Sequence, residues 1–283
     1  MPQLDDKVLA DWNGLAIAAL ARAGIVLEQP QWLDQAKAAC RFITDSMLRK
    51  DHADVLRLSQ SWRQGVSILQ AFASDYVEMT RAALVLHECA TPSSGIGSTE
   101  FLALAEGLTM TLLDHYSAKS TGLLHMAADD ADDIVHRLAP TSDDAAPNAH
   151  GHHLDNLVRL AAVSGDQAWR HKADQMIAAL TPRILESPFS HCSILGGLAF
   201  LLQAAEIRVC GRDREKLHRA ALLQPFMNRI VVDQGAGRED CDDNATGDAG
   251  KATAVICVGQ RCLMPITEPA DMATRLREAQ TVA

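Results

Sequence analysis

Apolar residues recur at helical spacing through the first two thirds of the chain, and polar turns separate the runs. The pattern predicts helices at about 5–23, 30–49, 66–88, 98–117, 149–163, 166–186 and 192–205. Consecutive helices pair into hairpins over 5–49, 66–117 and 149–186, and the last helix stays unpaired. Residues 51–64 hold only weak strand signals, so we interpret them as a loop.

The spacing changes after the last of these helices. Strand-like runs cover 207–211, 229–233 and 252–258, and helix-like segments cover 213–223 and 269–279. The order strand–helix–strand predicts that the first two strands pair in parallel. A Gly- and Asp-rich stretch at 234–251 predicts a loop. We therefore predict a helical-hairpin domain at 1–205 and a small α/β segment at 206–283.

The first helix of each hairpin carries unusual polar residues, whereas the second is an ordinary amphipathic helix. This alternation is typical of a toroid in which inner helices line a cavity and outer helices wrap around them. The predicted helices are too few to close such a ring. We therefore predict a mostly α fold, a partial (α/α)6 toroid of helical hairpins with a small C-terminal α/β segment.

Charge and apolar content narrow the range of partners. The formal net charge of −10 argues against nucleic-acid binding, which needs a surface rich in Lys and Arg. No apolar run is long enough to cross a bilayer, and no early apolar run is typical of a secretory signal. We therefore expect a cytoplasmic protein that binds neither nucleic acid nor membrane.

The seven cysteines are scattered along the chain and lack the spacing of a zinc site. We interpret them as buried free thiols in a reducing compartment, with Cys257 and Cys262 as the one pair able to meet. The sequence accordingly predicts no metal site and no cofactor.

Four segments carry a family resemblance that spans nearly the whole chain in the right order. They are Asp5-Asp6-Lys7-Val8-Leu9 with Trp12-Asn13-Gly14, the pair at 75–76, Arg137 with 143–147, and 254–267. Together they resemble the C-terminal part of the thioredoxin-domain-containing, spermatogenesis-associated-like proteins. Those proteins join a thioredoxin-like domain to an (α/α)6 barrel similar to that of N-acylglucosamine 2-epimerases. The resemblance implies sugar binding and proton-transfer isomerisation.

The chain departs from the family pattern in two ways. It holds neither the thioredoxin-like domain nor the first half of the barrel, so the resemblance implies that some barrel histidines lie outside it. The family also continues Ser-Gly-Asn after the proline of the 143–147 segment, whereas this chain has Asn148, Ala149 and His150.

Three residues are the candidates for acid–base chemistry. His150, one of three histidines at 150–153, stands near a predicted helix start and follows Asp143, so it could transfer protons at a sugar carbon. Asp75 lies among apolar residues, beside Tyr76 and close to Glu78, and could face the cavity. The structural alternatives are loop histidines and an ion-paired or solvated aspartate.

Six further residues are the candidates for substrate binding. An indole stacks on a sugar ring and carboxylates or amides bind its hydroxyls, while the alternative is a capped helix start with a core tryptophan. Arg137 could hold an anionic group or pair with Asp143. The predicted set is Asp11, Trp12, Asn13, Tyr76, Arg137 and Asn148.

The sequence leaves the function open between classes. The first interpretation is a sugar-binding, epimerase- or isomerase-like barrel fragment, with a glycosidase that uses two carboxylates as its enzymatic rival. The second is a non-catalytic remnant or subunit whose partner supplies the thioredoxin-like domain and the first half of the barrel. If Asp11, Asp75 and Asp143 do not converge on one cavity, both enzymatic interpretations fail. The open half-toroid also predicts exposed apolar surface and self-association.

Overall fold

The computed structural model describes residues 4–90, 98–132, 134–226, 228–235 and 251–281. Its helices are α1 (Ala10–Val26), α2 (Pro30–Met47), α3 (Ala73–Cys89), α4 (Ser98–His115), α5 (Ala149–Ser164), α6 (Gln167–Glu186), α7 (Cys192–Gln203), α8 (Glu215–Leu222) and α9 (Met272–Thr281). Its strands are β1 (Val8–Leu9), β2 (Leu48–Lys50), β3 (Leu56–Arg63), β4 (Val66–Gln70), β5 (Ala205–Cys210), β6 (Arg229–Gly235), β7 (Thr253–Val258) and β8 (Arg261–Cys262). Most of the predicted loop at 234–251 lies outside the described residues.

Helices α1 and α2, α3 and α4, and α5 and α6 pack as three antiparallel hairpins, as predicted. Helices α1, α3, α5 and α7 also pack side by side in that order and form an inner layer. Helices α2, α4 and α6 cover this layer from outside, each through one apolar face. The fold is mostly helical with a small C-terminal sheet.

A glycine lets the inner helix α1 approach the outer helix α2 closely. Gly24, predicted to end the first helix, instead lies inside α1, and a Cβ there would come within 3.0 Å of the Leu33 nitrogen. The helix continues to Val26 because the glycine serves packing against α2 at this position. The predicted helix end was therefore wrong by a few residues.

The segment between α2 and α3 folds as strands, so the predicted loop at 51–64 and the predicted helix start at residue 66 were both wrong. Strand β3 pairs antiparallel with β1, β2 and β4. Arg63 opposes Val66, which leaves a two-residue turn at Gln64 and Gly65 with φ of 50° and 85°. Left-handed residues at both central positions give the turn twist that suits a tight hairpin. Helix α3 therefore begins only at Ala73.

The C-terminal sheet has the strand order β6-β5-β7-β8. Strands β5 and β6 are parallel, as predicted from the strand–helix–strand order, and β7 is antiparallel to β5. Ile230 and Val232 of β6 pack into the core formed by α3–α7, and the Val231 N–H donates to Glu88 of α3 at 3.0 Å. The division into domains at residue 205 stays a prediction.

Three of the described cysteines, Cys210, Cys257 and Cys262, are disulfide-bonded, so the expectation of free thiols was wrong for them. Cys257 of β7 and Cys262 of β8 are adjacent in the antiparallel register and are joined by a disulfide. Cys40 and Cys89 are buried free thiols as predicted, whereas the free thiol of Cys192 is exposed.

Within the described ranges, no helix combines the length and the apolar character needed to span a bilayer.

Candidate functional site

The N-termini of the inner helices meet at one end of the molecule. The Asp11 N–H donates to Asp75 Oδ1 at 3.0 Å and joins the start of α1 to the start of α3. The Asn148 N–H donates to Ser193 Oγ at 3.1 Å and joins the starts of α5 and α7. The long connections at 48–72 and 116–148 lie at this end, and the short turn at 27–29 lies at the other. Long loops on a rigid scaffold commonly carry functional residues, so we expect a functional site at this end of the molecule.

Asp75 secures the starts of two inner helices. Its Oδ2 accepts a hydrogen bond from the Phe72 N–H at 2.8 Å, in addition to the Asp11 contact at Oδ1. The carboxyl is buried, and burial, followed by the nearby charge of Asp11, raises its pKa to about 8. Both oxygens are engaged by backbone, so the geometry favours a capping role. The catalytic role stays a prediction.

Tyr76, the next residue of α3, lies against the strands. Its hydroxyl accepts a hydrogen bond from the Leu58 N–H at 2.9 Å, and its ring lies 5.1 Å from that of Tyr116. Both rings line a cavity of about 500 Å³, whose rim includes Arg57 and Asp130. Tyr76 is therefore the predicted binding residue that the structure places at this cavity.

The predicted residues of α1 differ in what they offer. Asp11 is half-buried; burial raises its pKa most, and the Glu78 carboxylate raises it further. Trp12 is 65% exposed, so its indole presents a free face at the same end of the molecule. Asn13 Nδ2 donates to the Leu9 carbonyl at 2.8 Å and is thus engaged within its own helix. Of these three residues, Asp11 and Trp12 therefore have side-chain surface that a ligand could contact.

Asp143 and Asn148 build the start of α5 and its junction with α7. Asp143 accepts hydrogen bonds from the Asn148 N–H at 3.0 Å and the Ser193 N–H at 2.9 Å, and also from the Ser193 hydroxyl. Burial alone would raise the pKa of Asp143, but these donors hold it below its usual value. The Asn148 amide donates to the carbonyls of Pro140 and Ser142. Asp143 thus joins α5 to α7, whereas Asp75 joins α1 to α3. The convergence of Asp11, Asp75 and Asp143 on one cavity stays a prediction.

Both ring nitrogens of His150 are engaged. Nδ1 donates to Asn148 Oδ1 at 2.8 Å, and Nε2 accepts from the Leu124 N–H at 2.9 Å. Burial lowers the pKa of His150 to about 4, with Arg183 and His125 lowering it further, so the ring is neutral. A buried imidazole with both nitrogens hydrogen-bonded has the geometry of a structural residue. The catalytic role of His150 stays a prediction.

Arg137 organises the connection between α4 and α5. Its Nε donates to the Ala127 carbonyl at 3.0 Å, and Nη2 donates to the His115 carbonyl at 2.6 Å. The described contacts do not include the pairing with Asp143 considered from the sequence. The guanidinium therefore holds backbone carbonyls together, and substrate binding by Arg137 stays a prediction.

A carboxylate–histidine pair on the inner layer lies outside the set of site residues predicted from the sequence. Glu78 of α3 lies with Oε1 2.6 Å from Nδ1 of His152 on α5. Glu78 is buried, and its Oε2 has no hydrogen-bond partner in the part of the chain that the structure describes. His152 is only half-buried, and its Nε2 is bonded to no described residue. A carboxylate on one ring nitrogen fixes the tautomer and leaves the other nitrogen able to take a proton.

Further along the same helices the inner layer holds a buried ion network. Arg159 Nε lies 2.7 Å from Asp155 Oδ1, and Arg159 Nη1 lies 3.1 Å from Glu88 Oε2. Arg81 lies 3.3 Å from the second Asp155 oxygen.

The signal that could have found these residues is their spacing. Positions 78, 81 and 88 of α3, and 152, 155 and 159 of α5, repeat along one helical face within otherwise apolar runs. The sequence cannot show that the two faces oppose each other, because that depends on how the helices pack.

One group of side chains could offer ligands to a metal. Among the described residues, His115, Asp129 and Asp130 place three ligand atoms within 4.8 Å of one another. Asp130 already forms an ion pair with Arg57, and His115 Nδ1 lies 2.8 Å from Asp129. These contacts fit a surface salt-bridge cluster.

No family model matches the chain. It is 26% identical over 294 residues to spermatogenesis-associated protein 20 of Rattus norvegicus, a match covering 97% of this chain and 36% of that protein. The protein of the same name from Homo sapiens is 24% identical over 289 residues, covering 96% of this chain and 36% of that protein. The chain thus spans little more than a third of the curated relatives it matches.

The fold resembles solved helical-barrel structures. A GH76 alpha-mannanase of Bacteroides thetaiotaomicron matches with a TM-score of 0.53 and 15% identity, covering 69% of this chain and 52% of that one. A cellobiose 2-epimerase from Bacillus thermoamylovorans matches at a TM-score of 0.48 and 15% identity, covering 62% and 44%. The second likeness is too weak to carry an argument, and the first shows the fold alone. The chain is thus a distant homologue of spermatogenesis-associated protein 20, with a partial match to an (α/α)6 barrel structure.

Proposed function

We propose that the inner-helix face carrying Asp11, Glu78 and His152 binds a reducing sugar and exchanges the proton on the carbon beside its carbonyl. The observation that carries the proposal is the Glu78–His152 contact of 2.6 Å, next to a half-buried aspartate. In the open-chain sugar, His152 Nε2 would take the proton from C2, and the electron pair would pass to the carbonyl oxygen to give an enediolate. Return of a proton to the opposite face would give the epimer.

Two neighbouring residues support this assignment. The raised pKa of Asp11 favours a carboxyl that can give a proton to the developing oxyanion or to C2. The exposed indole of Trp12 offers an apolar face of the kind on which sugar rings stack. The residues differ from the catalytic set predicted from the sequence, whose members are engaged by backbone or neighbouring side chains.

Deuterium exchange tests the proposal. The chain is incubated in D2O with glucose, mannose, N-acetylglucosamine and cellobiose, and C2 deuteration is followed by mass spectrometry and NMR. We expect exchange with at least one sugar, and loss of about 10²-fold or more in His152→Asn. His171→Asn, at an exposed histidine of α6, should keep the wild-type rate.

The outcomes separate the enzymatic classes. Release of new reducing ends from cellobiose without deuteration would favour the glycosidase alternative and overturn proton transfer. If the folded protein shows no C2 deuteration and calorimetry detects no sugar binding, both the proton-transfer proposal and the glycosidase alternative are overturned.

A second candidate function is a subunit that works only when its open edge is covered, and we propose a second copy of the chain as the cover. The observation that favours it is the exposed apolar surface at the C-terminal end of α1, where Val26 and Leu27 are 52% and 57% exposed. Light scattering over a concentration series should show a mass above the monomer. Leu27→Lys should reduce association, whereas Leu185→Lys, at an even more exposed leucine of α6, should not. A monomer at the highest concentration would contradict this candidate.

A further inference from the structure

A second cavity lies at the opposite end of the inner layer, away from the Glu78–His152 pair. It has a volume of about 300 Å³ and opens between the C-terminal parts of α1 and α3 and the segment that joins α8 to β6. Arg22 lines it from α1, and Arg229 lines it from the first residue of β6. Leu222 and Pro225 form part of its apolar wall. Two guanidinium groups therefore share one partly enclosed space.

Both guanidiniums have unused donors. The Arg22 guanidinium forms no hydrogen bond or ion pair with any residue in the described ranges, and Arg22 is only half-buried. Arg229 donates from Nη1 to the Phe226 carbonyl at 2.7 Å and from Nη2 to the Leu222 carbonyl. Its Nε is buried and has no partner among the described residues. A buried donor without a partner is costly, so a ligand that satisfies it is favoured.

The neighbouring carboxylates do not supply the missing partner. Glu88 lines the cavity, but its Oε2 faces Arg159 and its Oε1 accepts the Val231 N–H. Asp155 uses one oxygen for Arg159 and the other for Arg81. All four carboxylate oxygens are thus engaged without reaching the cavity arginines.

The balance of charges around the cavity also leaves the two arginines without a full set of anionic partners. Four guanidiniums, those of Arg22, Arg81, Arg159 and Arg229, surround the two carboxylates of this network, which leaves an excess of positive charge at the cavity. Burial lowers the pKa of both cavity arginines most; the Glu88 carboxylate raises the pKa of each, and the charge of Arg159 lowers it. Burial also lowers the pKa of the nearby His218, which keeps that ring neutral.

We propose that the cavity between Arg22 and Arg229 binds a small oxyanion, either a phosphate group or a carboxylate, through both guanidiniums. Planar guanidinium groups match the geometry of these anions, and the apolar wall strengthens the attraction by excluding water. The position links the helical layers to the C-terminal sheet, so the anion would also bridge these two parts.

Calorimetric titration tests the proposal, with inorganic phosphate and acetate as separate ligands at constant ionic strength set with sodium chloride. We expect saturable binding of one or both anions to the wild-type chain, and the two titrations distinguish phosphate from carboxylate. Arg22→Gln should weaken binding about ten- to hundredfold, the effect of losing a charge-assisted contact. Arg41→Gln, at an exposed arginine of α2, should bind as the wild type does. Absence of saturable binding of either anion, or equal affinity in Arg22→Gln, would overturn the site.

Chemical modification gives a readout that does not depend on a variant. Phenylglyoxal labels accessible arginines, and peptide mass spectrometry locates the labels. The anion should slow labelling of Arg22 while Arg41 labels at an unchanged rate. Equal labelling of Arg22 with and without phosphate and acetate would contradict the assignment. Neither experiment involves sugars, so failure here leaves the proton-transfer proposal unaffected.

Discussion

Glu78 and His152 lie 2.6 Å apart, from Oε1 to Nδ1, although 74 residues separate them along the chain. Gly14 of α1 lies against the Glu78 backbone, and a Cβ at that position would come within 2.5 Å of the Glu78 carbonyl carbon. Three inner helices therefore meet around this one contact. Packing of α1 against α3, and of α3 against α5, therefore fixes the position of Glu78 relative to His152.

The first prediction concerns the role of Glu78 in positioning His152. Glu78→Gln should slow C2 deuteration about tenfold to hundredfold, because the amide no longer fixes the His152 tautomer or stabilises the imidazolium. We expect kcat to fall with KM little changed, which a purely structural role would not produce. Glu186→Gln, at an exposed glutamate of α6, is the control. A Glu78→Gln variant with wild-type kcat and an intact fold would exclude the positioning role.

The second prediction concerns the contact between α5 and α7. A Cβ on Gly151 would come within 2.4 Å of the Ser193 backbone, so Gly151→Ala should lower the free energy of unfolding by about 1–3 kcal/mol or more. Gly196 of α7 has no atom within 4 Å of its Cβ position. Gly196→Ala should therefore raise the free energy of unfolding by roughly 0.5–1 kcal/mol. Urea denaturation measures both, and equal effects would contradict the close approach.

The third prediction concerns acid sensitivity. The pKa of His150 is lowered from 6.5 to about 4 in the folded chain, so between these values the unfolded chain binds more protons. The contribution of His150 is therefore fully present above pH 6.5 and is lost as the pH falls toward 4. Denaturation at pH 7 and pH 5 should show a smaller loss for His150→Gln than for the wild type. His171→Gln should match the wild type, and an identical loss in all three would refute the assignment.

The fourth prediction concerns Asp75, whose effect on the pH dependence of stability is opposite in sign to that of His150. The pKa of Asp75 is raised from 3.8 to about 8, so within this window the folded chain binds more protons than the unfolded chain. The contribution of Asp75 to the free energy of unfolding should therefore decrease as the pH rises from about 4 to 8, opposite in sign to the contribution of His150 between pH 4 and 6.5. Asp75→Asn, which does not titrate, should flatten this dependence when denaturation is compared at pH 6 and pH 8. Equal slopes for the two proteins would show that burial does not hold the proton on Asp75.

The helical hairpins could be predicted because each carries its signal locally. Periodic apolar residues in α2 and α5, and turn residues such as Gly165 between α5 and α6, determine where helices begin and end. The β3–β4 hairpin was missed because its apolar residues also suit a helix, and the decisive feature is the pairing of Ser59 with Gln70 and its neighbours. Strand pairing depends on a partner, which periodicity within one segment does not reveal.

The sequence by itself determined the mostly helical fold, the three hairpins and the parallel pair of strands, and its motifs indicated the distant homology. Tertiary structure alone decided which polar residues meet. Asp75, Asn148 and His150 stand at helix starts, where free N–H groups and neighbouring segments engage them. His152 lies only two residues beyond His150, but the 3.6-residue period turns it toward α3 and Glu78. Asp5–Gly14 likewise supplies an exposed indole and one half-buried carboxyl, whose surroundings are set by α3 rather than by the motif.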